Sequence, residues 1–571
     1  MPPSQTFAGV IIVGGGPAGL AAALELARFG IRTIVLERRQ TTAWHPKARV
    51  LNTRTMEIAR GWGAGVYQRL RSIDMPDEWK SPIRFVKSAV GQEIGRIETE
   101  GFSGPGDEIS PAVPVLSSQD LVEQILYDTA SASNLIDLRF GHEAGKVLSG
   151  WGDADRAASI EVTEKASGHI YTLEGSAIVG ADGLDSAIRH QLGIPLRGER
   201  NISHFIGCYF RADIERHLAG RSAIIFFVSN EAATGVLQPL DAQGRWLCQI
   251  GVTADTWDTE LYDERRCAEW IRAAVGVADL DPEILSIGRW RVNAAVAERF
   301  LRGRILICGD AAHLLPPTGG LGVNSGLQGV QNAMWKLALV LQGRAGPELL
   351  RTYDLERRSV VEWVVRQSLQ NHRDVQTIGA ASIGQGRNSA PDLVGAARRY
   401  GNHLGVELGV NYVSSAVFSD GTAAPEVADP YSDYKPCGRP GHRAPHVWLG
   451  RGKEKLSTLD LFGPGFTVLT GPKGDGWSLA AKAASAAIGV PVACHRIGRP
   501  GLEDNDRVFL DRYGLEPDGA VLVRPDGYVA WRAASGKEMK FDELTNVLST
   551  ILDLQGVRES HHQDATREPL A

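Results

Sequence analysis

The sequence predicts an α/β protein of several domains, and three observations carry that reading. A strand, a glycine-rich turn, a helix and a second strand follow one another from Gly9 to Glu37. Between residues 200 and 299 the pattern changes to short β-like runs. Beyond a Pro/Gly-rich stretch, Pro425 to Pro445, a strand, a helix, another strand and a hairpin succeed one another. At 571 residues the chain exceeds one typical core, so two or three domains are expected.

The N-terminal unit is a Rossmann-type nucleotide fingerprint. Gly9 to Val13 reads as a buried strand, and Gly14-x-Gly16-x-x-Gly19 opens an apolar helical pattern through Ala22, Leu24, Leu26 and Phe29. Gly14 permits the tight turn, Gly16 lets the backbone approach a pyrophosphate, and Gly19 allows close packing of helix on strand. Pro17 and Ala18 lie at the helix N-terminus, whose partial positive charge suits an anion. The second strand, Arg32 to Leu36, ends at Glu37, an acid placed for an adenosine ribose, with Arg38 beside it. The nucleotide is either NAD or FAD on this evidence. Only one such fingerprint occurs, so an enzyme using both must hold one of them without a Rossmann unit of its own.

Two later stretches share the pattern of a strand ending in a glycine turn. Ile178 to Arg189 contains Asp182-Gly183 before a short helix, and Arg304 to Ile307 runs into Gly309-Asp310. The second is followed by the Pro/Gly loop Leu315-Pro316-Pro317-Thr318-Gly319-Gly320 and a long helical run, so backbone N–H groups converge where a flavin ring could sit.

The middle runs, Ser203 to Ala212, Ala223 to Val228, Thr234 to Gln238 and Trp246 to Val252, predict an antiparallel sheet over an enclosed, mostly apolar pocket. Phe226 and Phe227 are adjacent, so alternation points only one of them inward. Gln238 and Gln249 are candidates for orienting a phenolic or carbonyl oxygen, with His204 and Tyr209 as lesser ones. His313 fits either a cofactor-lining or a satisfied, packed histidine.

Composition narrows the partners. Lys and Arg number 61 against 67 Asp and Glu, a formal charge of -6, so no nucleic-acid partner is expected. The six cysteines, Cys208, Cys248, Cys267, Cys308, Cys437 and Cys494, show no CxxC pair or metal-ligand spacing, which fits a reducing cytosol and no metal. The apolar Val10 to Leu26 stretch is broken by Gly14, Gly15, Gly16 and Pro17 and lacks a basic leader, so a cytoplasmic protein without a membrane partner is expected. No Ser/His/Asp set, HExxH motif or kinase loop supports a hydrolase or phosphotransferase.

The order Gly14 to Gly19, Asp182-Gly183 with Ser186 and Arg189, then Gly309-Asp310 resembles the class A flavoprotein monooxygenases, the single-component FAD-dependent aromatic hydroxylases. His45-Pro46-Lys47-Ala48-Arg49, Arg54-Thr55-Met56-Glu57, Ser118-Gln119 and Asn332 with Trp335-Lys336-Leu337-Ala338 look like the phenol and polyketide hydroxylase branch. The likeness spans nearly all of residues 8 to 375. It implies FAD as cofactor, with Asp310 on the ribityl chain, Gln119 and Arg49 at the ribose-pyrophosphate region, and Asp182 with Gly183 by the pyrophosphate and the nicotinamide path. Gly320, Leu321, Gly322 and Asn324 would present backbone donors to the pyrimidine edge of the isoalloxazine, Pro317 would also bind the cofactor, and the Pro316 carbonyl would face the substrate. Pro316, Arg49 and Asp182 are thus the catalytic candidates. One departure stands out: where the family commonly has Asp-Ala-x-Asn-Leu, this chain reads Gly329-Val330-Gln331-Asn332-Ala333.

The resemblance extends to a thioredoxin-like C-terminal domain, here without a CxxC, and to a homodimer. It divides the chain into a discontinuous FAD-binding domain (1–75, 111–199 and 300–375), a substrate-binding sheet domain (76–110 and 200–299), a helical connection and linker (376–440), a thioredoxin-like domain (441–555) and a disordered tail (556–571). The implied reaction is hydroxylation of a phenolic or polyketide-type aromatic. NAD(P)H reduces FAD, O2 adds at the flavin C4a carbon, and the distal oxygen of the hydroperoxyflavin passes to the ring. Baeyer–Villiger insertion or epoxidation on the same scaffold stays open, as does a non-catalytic flavin- or ligand-binding protein.

Overall fold

The computed structural model describes residues 7–63, 65–152, 157–383, 390–536 and 542–554. The expected tail, 556–571, lies outside these. Three sheets organise the fold. The first has the order Leu301–Arg302, Ile305–Ile307, Ile170–Gly180, Phe7–Val13, Thr33–Glu37 and Ile136–Phe140, with the strands His142–Ser149 and Ala158–Glu164 added beside Ile170–Gly180. Its central pairs are parallel. Parallel strands covered on both faces need continuous apolar runs, and Val10, Ile11, Ile12, Val35, Ile178, Val179, Ile305 and Leu306 are all sealed from solvent.

The second sheet has eight strands, ordered His313–Leu314, Glu283–Ala297, Leu196–Arg211, Arg245–Val252, Thr234–Pro239, Ile225–Ser229, Ile83–Val86 and Glu93–Ile97. The expected antiparallel sheet is present, with one parallel junction between Ile225–Ser229 and Ile83–Val86. That junction exists because the Ile83–Val86 strand comes from far earlier in the chain and need not be reached by a hairpin. One face carries an apolar core covered by the helix Glu264–Val275, and the other faces the first sheet's domain.

The C-terminal sheet, ordered Val492–Arg496, Phe466–Thr470, Ala520–Val523 and Val529–Ala533, has one parallel and two antiparallel pairs, with helices Asp475–Ile488 and Glu543–Ile551 packed together on it. This is the thioredoxin-like arrangement. Its one strand cysteine, Cys494, lies beside the Ser478 hydroxyl. Among the described residues no helix is long and apolar enough to cross a membrane.

Two helices tie the parts together. The long helix Pro347–Ile383 donates Tyr353 Oη to Ile307 O at 2.9 Å and Gln376 Nε2 to Ser203 Oγ at 2.8 Å, so it spans both large sheets. The helix Leu321–Leu341 carries Asn332, Trp335 and Lys336 into a buried polar cluster with Glu356 and with Arg524 and Asp526 of the C-terminal hairpin. Gln331 accepts a hydrogen bond from Arg54 at 3.1 Å.

The family departure at Gly329 has a structural counterpart. A Cβ there would meet only Arg357 Nε at 3.8 Å and Tyr353 Oη at 4.0 Å, and that Nε is buried without a hydrogen-bond partner. The site therefore tolerates a side chain in a helix interior, where glycine costs about 0.5–1 kcal/mol relative to alanine. Gly329→Ala is expected to raise the apparent urea midpoint by that stability increment, and a lowered midpoint would contradict it.

Candidate functional site

The glycine turn is shaped as the fingerprint requires. Gly14 has φ +110°, and a Cβ on Gly19 would stand 1.8 Å from Gly14 O, so helix and strand meet only if residue 19 is bare. At Gly16 a Cβ would meet nothing within 4 Å, which leaves open space at the N-terminus of helix Pro17–Arg28. The Gly16 cap has no side-chain bond, so backbone N–H groups of the first turn are free for an anion. Glu37 Oε2 accepts from Gly15 N at 2.8 Å, and Oε1 accepts from Arg39 N and Nε at 2.9 Å. Burial alone would raise its pKa, but the bonds from Arg39 and Gly15 outweigh it and hold the carboxyl below its usual range. Arg38 is exposed on the groove.

This groove opens into a cavity of about 1360 Å³ that continues under the second sheet. Gly14, Gly16, Pro17, Ala18, Glu37, Asp182, Gly183, Asp310, Pro317, Gly320 and Gly322 all border it. Asp310 faces open cavity space deep in the fold, and among the described residues no donor hydrogen-bonds to it. Burial raises its pKa, with Lys47 opposing. Asp182 instead builds its own turn, accepting from Ser186 Oγ at 2.6 Å and Ile188 N at 3.1 Å. Arg189 completes the motif by donating to Ala311 O at 2.9 Å, next to Asp310.

Several expectations need correction. The Pro316 carbonyl does not stand free toward a substrate: the buried Ser368 hydroxyl of the long helix lies 2.9 Å from both Pro316 O and Thr318 O, because loop carbonyls turned into the fold must be satisfied. The proline itself still borders the cavity. Leu321 and Asn324 lie off the cavity wall, since positions three apart share a helix face. Leu321 packs with Val364, Val406 and Tyr431. Asn324 fastens the chain at Val50–Asn52, accepting from Asn52 N and donating to Val50 O, each at 2.9 Å.

Arg49 also departs from its expected place. Its guanidinium turns away from the groove and donates to the carbonyls of Pro239 and Ile224 in the second sheet. It has no carboxylate partner among the described residues, and burial pushes its pKa down to about 10. The reason lies in the loop before it. Gln119 Oε1 accepts from Ala48 N at 2.8 Å and Glu123 Oε2 accepts from Ala43 N at 2.9 Å, so the helix Gln119–Ser131 fixes the loop and aims residue 49 across the cavity. Gln119 borders the groove in that anchoring position.

Strand pairing decides the sheet face. Phe227 is level with Phe85 and Val236, and these line the cavity, with the Phe85 and Phe227 rings stacked at 4.9 Å and 17°. Phe226 therefore points the other way and is sealed in the core, so it is no substrate contact. Gln238 and Gln249 both line the cavity, and among the described residues neither side-chain amide bonds to the protein. His204 sits at the cavity rim against Trp257, 5.1 Å between rings. Tyr209 is off the wall and accepts from Arg245 Nε at 2.8 Å. His313 is packed in the interior, its Nδ1 without a partner, and burial pushes its pKa down to about 3. One wall residue had no signal in the sequence: Tyr400, from the connection after the long helix.

A nucleotide groove, a partnerless Asp310 and a sheet-roofed chamber in one volume match what the chain is similar to. An FAD binding domain family model matches residues 8–368, and an aromatic-ring hydroxylase C-terminal model matches 437–554. The chain belongs to the FAD-dependent aromatic-ring hydroxylases. Aklavinone 12-hydroxylase RdmE of Streptomyces purpurascens is 34% identical over 95% of this chain and 98% of that protein. The 2,4-dichlorophenol 6-monooxygenase of Delftia acidovorans is 31% identical over 95% and 98%. The crystal structure of the flavin-dependent monooxygenase PieE with FAD and substrate superposes with a TM-score of 0.90 at 34% identity, covering 97% of this chain and all of that one. The residues of this hydroxylase fit FAD: a bare glycine turn for the pyrophosphate, and a carboxylate with free acceptor capacity where a polyol can donate.

Proposed function

We propose that the protein transfers one oxygen atom of O2 to a ring carbon of a phenolic or polyketide-type aromatic, with NAD(P)H as reductant: ring C–H, O2, NAD(P)H and a proton give ring C–OH, NAD(P)⁺ and water. FAD, when bound, supplies the redox chemistry between NAD(P)H and O2. A homodimeric assembly completes the proposal. The observation that carries it is the continuity of the cavity, which runs from the glycine turn past Asp310 to the face bearing Phe227, Gln238 and Gln249. Relatives named as a putative polyketide hydroxylase and as a 2,4-dichlorophenol 6-monooxygenase support an oxygenated aromatic.

In this reading Asp310 and the first turn of Pro17–Arg28 hold the cofactor, and the N-terminus of Leu321–Leu341 places partial positive charge beside its ring end. The sheet roof keeps water from the reacting atoms. Arg49 is a cation in the cavity wall without a carboxylate, so it favours the phenolate form of a bound phenol, which makes the ring more nucleophilic. The FAD-loaded protein, given phenols and aromatic polyketides under ¹⁸O2, is expected to speed NAD(P)H oxidation and place one ¹⁸O in the product, with NMR locating it on a ring carbon. If no aromatic did so, the reading would fail.

Arg49→Met tests its share. A hydrogen bond to a charged partner contributes ~1.5–3 kcal/mol, so kcat/KM for the aromatic is expected to fall about 10- to 100-fold while FAD content stays unchanged. An unaltered kcat/KM would remove Arg49 from the reaction.

A further inference from the structure

Between the two family matches, the long helix from His372 to Ser382 and, further on, Tyr400 form one wall of the cavity. Helix Ala390–Ala396 packs on strand Glu93–Ile97, and the following turn, Ala397–Gly401, carries Tyr400. Its ring stands 6.0 Å from the Phe227 ring, it borders the cavity, and it is 7% exposed. The Gly319 backbone N–H and the Arg49 charge both act to lower the pKa of its hydroxyl. Among the described residues it donates to no acceptor.

This arrangement has a direction. Among the described residues no acceptor holds the hydroxyl proton, so it is free for a ligand in the cavity that Tyr400 borders. A ligand oxygen that accepts from it gains a hydrogen bond that an apolar ring cannot form. Burial pushes the Tyr400 pKa up to about 12, so the group keeps its proton over the whole working range of pH. The Gln238 and Gln249 amides are likewise uncommitted, whereas Phe85 and Phe227 offer a flat apolar surface on the same sheet face. The wall thus has an end that reads oxygen and an end that accepts a bare ring.

We propose that Tyr400 is a specificity-determining residue whose hydroxyl donates to an oxygen substituent of the aromatic substrate, so that the site selects oxygenated rings over apolar rings of the same size. The proposal rests on the oxygenation reading above and names the residue that reads the oxygen of the substrate. It also explains how a segment outside both family matches sets this preference: the donor it supplies borders the cavity beside Phe227.

The test uses the FAD-loaded protein and two probes of matched shape, 1-naphthol and 1-methylnaphthalene, with dissociation constants read from flavin fluorescence and coupling read as product formed per NAD(P)H. The unmutated protein is expected to prefer 1-naphthol about 10-fold or more. In Tyr400→Phe that preference should fall toward one, through weaker 1-naphthol binding, with 1-methylnaphthalene affinity and FAD content unchanged and coupling reduced. A preference retained in Tyr400→Phe overturns the proposal, as does a preference absent from the unmutated protein. Both results leave the oxygenation reading standing if phenols still accelerate NAD(P)H oxidation; that reading falls separately if none does.

Discussion

Asp310→Ala is expected to purify largely without FAD and to bind added FAD at least 10²-fold more weakly than the unmutated protein. The carboxylate borders the cavity, has no protein donor among the described residues, and sits where burial raises its pKa with only the Lys47 charge opposing. Ligand hydroxyls that donate to this carboxylate replace the water that the cavity admits to it, each hydrogen bond to the charged group being worth ~1.5–3 kcal/mol. Losing one or two such bonds gives the stated fold-change. Asp310→Asn is the informative companion: it keeps the shape and one acceptor, so it should weaken FAD less than the alanine variant. Equilibrium dialysis with absorbance of bound flavin measures both. Tight FAD retention in Asp310→Ala would mean the ribityl assignment is wrong. The variant should still fold, since among the described residues no hydrogen bond or ion pair depends on that side chain.

The same contrast between committed and uncommitted groups explains what could be seen in the sequence. The glycines at 14, 16 and 19 and the Gly309-Asp310 turn were legible because backbone geometry imposes them: a side chain at 19 would collide with Gly14 O. The choice between Phe226 and Phe227 was not, because alternation gives a period and no phase until the neighbouring strand Ile83–Val86 fixes it. Arg49 was placed near the pyrophosphate from its motif, yet its direction is set by Gln119 and Glu123, some seventy residues away, holding the loop. Pro316 was read as a free carbonyl because its partner, Ser368, lies on a helix whose contacts no local pattern reveals. Tyr400 carried no motif at all, and only the packing of its turn against the sheet brings it to the cavity. Residues that bind through backbone shape are therefore visible in sequence, whereas those that act through long-range orientation are not.

That distinction bears on the C-terminal domain, which lacks paired cysteines and reaches the cofactor side through buried charge. Glu356 accepts from Lys336 at 2.7 Å, from Arg524 at 2.7 and 3.0 Å, and from Asn332 at 2.6 Å, with no side-chain exposure on any of the charged partners. Burial would raise its pKa, but Arg524 and Lys336 dominate and hold it far below the usual carboxylate range. Removing the acid leaves Lys336 without its carboxylate in the interior and Arg524 with Asp526 alone, so Glu356→Ala is expected to destabilise the protein by ~3–5 kcal/mol. Asp526 keeps Arg524 partly compensated, which places the main loss at Lys336. Hydrogen exchange should then rise first in the hairpin Ala520–Ala533 and in the Leu321–Leu341 helix, the two elements the cluster joins. The pH dependence has a definite sign: a carboxyl whose folded pKa is depressed contributes stability that is complete above about 4.5 and is lost as pH falls toward its folded value, so acid should loosen the same two elements. Lys336→Met combined with Glu356→Met separates docking from mere charge. If the cluster serves only to neutralise itself, the double variant recovers most of the loss, with a coupling of ~1–3 kcal/mol. If Glu356→Ala shifts the urea midpoint by less than about 1 kcal/mol of stability, the buried cluster does not hold the domains together, and the apolar contacts of Trp335 with Phe466 must do so instead.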